Sequence, residues 1–231
     1  MKNVITGGSR NWTRQAEMAV ICPSITAYST DEYHQQIENI AHLAERIHID
    51  LMDGHFTKKA NLGPADAWWP VGIKADFHLM YRQPDKAVAL ILEHQPNLII
   101  IHAEADGNFE ALANQCHSLG VKIGVALLPS TAPAAIERSL NRIDHVLVFS
   151  GNLGEYGGHA NLDLLRKVNH IRQLAPNIEI GWDGGINQQN ISQLAFGGVD
   201  VFNIGGFLQS AADTATAFHS LQRIAEETGT T

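Results

Sequence analysis

Eight short apolar runs, each separated from the next by a stretch of helical length, constrain this chain more than any other feature. The runs fall at 20–26, 47–52, 73–80, 98–102, 122–127, 145–149, 178–182 and 199–204. The stretches between and after them read as helical at 31–45, 64–70, 84–94, 107–119, 132–141, 161–174, 187–196 and 212–227. Several begin with N-cap signals: Ser29 or Thr30 with Glu32 close behind, Asn161 ahead of Leu162, and Asn187 ahead of Gln188. Near-continuous apolar strands that alternate with helices belong to a parallel sheet covered on its faces. Eight such units without a linker or a shift in composition predict a single (β/α)8 barrel, an α/β fold, because closing the sheet pairs every strand and leaves no edge. A chain of 231 residues suits one barrel of this kind, which takes roughly 250. Residues 1–17 lack a periodic apolar pattern and read as an N-terminal extension, with the barrel over 18–231.

Composition narrows the partners. A formal net charge of −8 argues against nucleic acid or an anionic membrane surface. No apolar run reaches membrane-spanning length, and the polar first sixteen residues do not resemble a secretory signal. Cys22 and Cys116 are far apart and suit neither a disulfide framework nor a zinc knuckle, so a reducing cytoplasm is expected.

The chemistry is concentrated at strand ends. His48 and Asp50 are two apart on a strand, so an imidazole and a carboxylate face the same side just before the loop at Asp53-Gly54. His78 ends the third run and Asp183 the seventh. In a barrel of this type all four lie at the C-terminal ends of strands, where active sites form. Two nitrogens and two carboxylates converging there suit one divalent metal ion; zinc, manganese, iron and cobalt all accept such a set.

Glycine pairs supply an independent signal. The loops after the seventh and eighth strands read Asp183-Gly184-Gly185 and Ile204-Gly205-Gly206. The loop after the sixth carries Gly151, Gly154, Gly157 and Gly158. Glycine lets backbone N–H groups approach an anion closely, and these are the loops that hold phosphate in many barrels. His55, His102 and Glu104 read as structural polar residues, Cys22 as core, and Trp68-Trp69 as packing against the barrel wall or a partner subunit.

Taken together, CPSI, HIDLMDGHF, FHLM, HAEA, GVAL, WDGGI and VDVFNIGG, from Cys22 to about Leu208, resemble the ribulose-phosphate 3-epimerase family of ketose-phosphate epimerases. The resemblance implies one divalent metal held by His48, Asp50, His78 and Asp183, with Asp50 and Asp183 acting as acid and base on opposite faces of the substrate. It implies that Ser24 contacts substrate and that Met52 lies beneath the reacting carbons. It further implies that Gly154, Gly157, Gly158, Gly184, Gly185, Gly205 and Gly206 grip the phosphate of a small phosphorylated ketose, and that the protein is a homo-oligomer. D-Ribulose 5-phosphate is the leading substrate, with a 2-ketohexose 6-phosphate as the alternative. A non-catalytic phosphosugar-binding relative is the third reading. The related decarboxylases carry Asp-x-Lys-x-x-Asp, whereas this chain has Asp76-Phe-His. Several loops depart from the family pattern: Thr57-Lys58-Lys59 stands after GHF, Leu127-Leu-Pro-Ser-Thr-Ala ends the fifth strand, Glu155 enters the sixth-strand loop, and Gly206 replaces a serine.

Overall fold

The computed structural model describes residues 19–155 and 158–229. The expected extension at 1–17 and the candidate residue Gly157 lie outside the described residues. Eight parallel strands close into a barrel in chain order: β1 (Val20–Ile25), β2 (Arg46–Met52), β3 (Lys74–Met80), β4 (Leu98–His102), β5 (Lys122–Leu127), β6 (His145–Phe149), β7 (Glu179–Asp183) and β8 (Val201–Ile204). Ring closure is carried by β1 and β8, with Cys22 opposite Asn203 and Pro23 opposite Ile204.

Alternation along each strand sorts the side chains into two sets. Ile47, Ile49 and Leu51 of β2, Phe77 and Leu79 of β3, and Ile180 and Trp182 of β7 point outward into apolar clusters shared with the helices. The other parity fills the lumen. Near the bottom, Arg46 forms a bidentate pair with Glu179 (2.8 and 2.8 Å) and also reaches Asp76 at 2.6 Å. His145 Nδ1 joins Glu179 at 2.6 Å, and Asn97 donates to the other oxygen of Asp76. Above that polar layer Leu98, Ile100, Ala126 and Leu147 make a small dry cluster. The lumen is thus a packed core beneath the cavity at its upper end.

The helices are α1 (Thr30–Ile40), α2 (Asp85–Leu92), α3 (Phe109–Ser118), α4 (Leu165–Leu174), α5 (Ile191–Phe196), α6 (Gly206–Gln209) and α7 (Thr214–Gly229). Ser29 caps α1 by accepting from the Glu32 amide at 3.2 Å, as its position predicts. Asn161 likewise accepts from Asp163 N at the start of the helical turn that leads into α4.

The helix expected at 31–45 ends at Ile40, and three other expected helices differ in kind or start. The 64–70 stretch is only a 3₁₀ turn at Pro64–Asp66. Pro70 disfavours helical geometry at Trp69, and Trp69 instead packs edge-on against Phe77. The stretch expected at 132–141 is a 3₁₀ helix, Pro133–Arg142, whose buried Pro133 and Ile136 follow its repeat of three. The segment expected at 187–196 becomes helical only at Ile191, because Asn187 Oδ1 accepts from Gln189 N and forms a local turn rather than a cap.

No helix among the described residues is long and apolar enough to cross a membrane.

Candidate active site

The upper lumen brings His48, Asp50, His78 and Asp183 together. One donor atom from each lies within 4.8 Å of the other three. His48 and Asp50 come from successive inward positions of β2, His78 stands opposite Asp50 on β3, and Asp183 ends β7. His78 Nδ1 is 2.9 Å from Asp50 Oδ1 and 3.6 Å from Asp183 Oδ2. His48 Nε2 lies 3.3 Å from Asp50 Oδ1 and 3.9 Å from Asp183 Oδ2, and neither ring nitrogen has a well-formed hydrogen bond among the described residues. Such a pair of buried ring nitrogens is unusual, since buried polar atoms almost always have partners. Two nitrogens and two carboxylate oxygens, one of the imidazoles otherwise unpartnered, fit a divalent cation of the borderline class.

Burial and like charge separate the two carboxylates in acidity when no ion balances them. Asp183 is pushed up to about 7, first by desolvation and then by the charge of Asp50. Asp50 is also desolvated, yet the neighbouring imidazoles of His48 and His78, the latter at hydrogen-bond distance, hold it well below the ordinary carboxylate range. Thr26 adds a 2.6 Å hydrogen bond to Asp50 Oδ2. Burial pulls His78 down to about 4, with Asp50 opposing and His102 reinforcing the shift.

His102 and Glu104, read from sequence as structural, prove to be attached to this centre. His102 Nε2 stands 2.8 Å from His78 Nε2. Its Nδ1 faces Glu104 Oε2 at 3.4 Å. The other Glu104 oxygen accepts from Leu128 N at 3.2 Å and from the Thr131 hydroxyl. Phe56 and Phe149 pack on the His102 ring.

A cavity of about 450 Å³ opens above the four residues. Ser24, Asp50 and Asp183 line it, as do Gly154, Gly158, Gly184, Gly185, Gly205 and Gly206. Two of the glycines are required by geometry. Gly184 has φ +112°, and a Cβ there would stand 2.1 Å from Gly151 N; Gly185 has φ +72°, and its Cβ would stand 2.1 Å from Ala160 N. The β6 and β7 loops therefore touch through bare backbone. His48 and His78 sit in the floor with no exposure. Met52 is buried beneath the β6 loop, its sulfur 3.2 Å from where a Gly154 Cβ would be, while Met80 reaches the cavity. Thr26, Met80 and Asn203 are wall residues that motif reading passed over. Strand parity was the available signal, because Thr26 is two beyond Ser24 and Met80 two beyond His78.

The fold and site define a barrel enzyme with a set of two imidazoles and two carboxylates that could hold a metal, beneath a glycine-lined pocket. Residues 20–208 match the model of the "Ribulose-phosphate 3 epimerase family". Ribulose-phosphate 3-epimerase of Mycobacterium leprae is 32% identical over 88% of this chain and 94% of its own length. The Aquifex aeolicus enzyme of the same name is 30% identical over 90% of this chain and 97% of its own. Among solved structures, 3-hexulose-6-phosphate synthase from Salmonella typhimurium superposes with a TM-score of 0.70 at 13% identity, covering 90% of this chain and 99% of that one, a likeness of fold alone. The chain belongs to the ribulose-phosphate 3-epimerase family, whose members are isomerases acting on carbohydrates.

Proposed function

We propose that this protein interconverts D-ribulose 5-phosphate and D-xylulose 5-phosphate by moving the proton on carbon 3. The observation that carries the reading is the pairing of Asp50 and Asp183 within the cluster, with opposite acidity shifts, on strands from different sides of the lumen. Carboxylates whose environments drive their pKa values apart are suited to act as base and acid in one step.

Ionised Asp50 takes the carbon 3 proton, and the electron pair left behind moves into the neighbouring carbonyl to give an enediolate. Protonated Asp183 then returns a proton to carbon 3 from the other face, so the configuration inverts and the carboxyls have exchanged protonation states. The reverse reaction uses the same pair with roles exchanged. A proton transfer by a positioned side chain typically contributes about 100- to 10,000-fold. His48, Asp50, His78 and Asp183 would hold zinc, manganese, iron or cobalt, which when bound would draw developing negative charge from the oxygens on carbons 2 and 3. Ser24 and Met52 position the sugar. Backbone N–H groups around Gly154, Gly157, Gly158, Gly184, Gly185, Gly205 and Gly206 receive the phosphate.

We infer further that the protein works in the cytoplasm as a homo-oligomer. Two unpaired cysteines, both buried, suit a reducing compartment, and the family resemblance supports assembly.

Incubation of metal-loaded protein with D-ribulose 5-phosphate in heavy water, followed by proton NMR, tests the proposal. Loss of the carbon 3 proton with appearance of xylulose 5-phosphate is expected. No exchange in protein shown to hold metal overturns the pentulose reading, and a 2-ketohexose 6-phosphate is then assayed in the same way.

A further inference from the structure

Asn203 is a buried amide without a hydrogen-bond partner among the described residues. It stands on β8 directly opposite Asp183 on one side and Cys22 on the other. Phe202 and Ile204 belong to the outer apolar cluster, so strand alternation turns Asn203 into the lumen, where it lines the cavity. Its exposure is 2%, and neither Oδ1 nor Nδ2 has a hydrogen-bond partner among the described residues. Ser24, on the adjoining strand, presents an unpartnered buried hydroxyl to the same cavity.

A buried amide left unpaired loses its hydration without a compensating hydrogen bond and so destabilises the fold. An apolar residue of similar size would avoid that penalty, since β8 is otherwise Val-Phe-Ile at this level. An amide kept in such a place, at the wall of a binding cavity, is positioned to bond a polar group of a ligand that enters it. The linear order of the site says which part of the ligand. Asp183 lies beside Asn203 at the reacting carbon, and Gly205 and Gly206 follow it in the phosphate cradle. In a 2-ketose 5-phosphate that reacts at carbon 3 and carries phosphate on carbon 5, the intervening group is the hydroxyl on carbon 4. A hydroxyl both donates and accepts, as does an amide.

We propose that Asn203 is a specificity-determining residue that reads the carbon 4 hydroxyl of the ketose phosphate, with Nδ2 donating to its oxygen or Oδ1 accepting its proton. The inference rests on the proposed site and assigns a further residue to it.

The test uses metal-loaded wild type and two variants, Asn203→Leu, which is nearly isosteric, and Asn203→Val. Calorimetry measures binding of the equilibrated ribulose and xylulose 5-phosphates and of the 4-deoxy analogue. Thermal unfolding is followed without ligand. Affinity for the natural pair is expected to fall about 10-fold or more in the variants, affinity for the 4-deoxy analogue to stay unchanged, and unliganded Tm to hold or rise. Equal losses for both ligands would show a merely structural role, and no loss for either would show that Asn203 touches nothing on the sugar; both overturn the inference. Should wild type bind the ketose phosphates but fail to exchange the carbon 3 proton, the proposed reaction fails. The contrast between the two ligands still decides the role of Asn203.

Discussion

The Nε2 atoms of His78 and His102 stand 2.8 Å apart, so one ring must donate and the other accept. His78 presents Nδ1 to the two aspartates. For that nitrogen to offer a lone pair to a cation, Nε2 must carry the ring proton and donate it to His102. His102 is thereby left with its own proton on Nδ1, facing Glu104. The His78–His102 contact ties the two tautomers together and holds the ligand ring in place, the role that outer partners usually play at a metal centre. The Glu104 carboxylate, 3.4 Å from His102 Nδ1, favours a proton there. His102→Phe is expected to weaken metal binding by about 10- to 100-fold while the metal-free Tm changes little. Competition against a chelator of known affinity measures it, and unchanged affinity would show that His102 does not orient its neighbour.

Replacing either aspartate by asparagine is expected to abolish carbon 3 proton exchange, but the two variants should part ways in metal-free stability. The raised pKa of Asp183 gives a stabilising contribution that is complete below the ordinary carboxyl value, roughly 4, and is lost as pH rises to about 7. At pH 8 the wild type must therefore bury this carboxylate in its charged form beside Asp50. Asp50 has the opposite sign: its depressed pKa contributes stability above the ordinary value, lost only as pH falls toward the depressed one. In the presence of chelator at pH 8, Asp183→Asn should raise Tm and Asp50→Asn should lower it, with the Asp183→Asn gain shrinking toward pH 5. A gain of the same size at both pH values would show that Asp183 does not titrate in that window.

The barrel was legible because its strands are fully buried and its runs of Ile, Val and Leu stop at polar residues. Strand ends were placed within two residues throughout, since Asp50, His78 and Asp183 mark the change from apolar core to lumen mouth. The helices were less legible. Pro70 and Pro133 impose tighter or broken geometry, which apolar spacing alone does not reveal. Among site residues, the four cluster members share strand parity and distinctive chemistry. His102 carries the same kind of side chain at the same kind of place, but only the packing of β3 against β4 shows which ring it touches. Asn203 sits inside an apolar strand, where alternation assigns its face but cannot show that its amide lacks partners among the described residues.

The polar layer at the bottom of the barrel makes a stability prediction separate from catalysis. Arg46 is buried and spans Asp76 and Glu179, which in turn holds His145. The Arg46 guanidinium and His145 offset the desolvation of Glu179 and hold its carboxyl far below the usual range. Removing the cation strands two acids in the core. Arg46→Ala is expected to destabilise by about 3–5 kcal/mol, as breaking one side of a buried pair generally does. Urea unfolding of the metal-loaded protein measures it, and a loss below about 1 kcal/mol, the range of an exposed pair, would show that the layer is solvated rather than load-sharing.

Gly185 permits a test of the cradle that separates backbone strain from steric contact. Gly72 and Gly185 both have positive φ, +94° and +72°, but a Cβ at Gly72 meets nothing within 4 Å whereas one at Gly185 meets Ala160 N at 2.1 Å. Gly72→Ala should therefore show only the conformational penalty, about 1–2 kcal/mol, with turnover unchanged. Gly185→Ala bears that penalty and also forces the β7 loop away from the segment at His159 and Ala160. Its Asn187 and Asn190 contacts, both made to the Gly185 carbonyl, move with it. The expected result is a KM for the ketose phosphate raised about 10-fold or more, with metal affinity retained because Asp183 ends the strand before the displaced peptide. Equal behaviour of the two variants in KM would place the phosphate elsewhere in the cavity, away from the contact between the β6 and β7 loops.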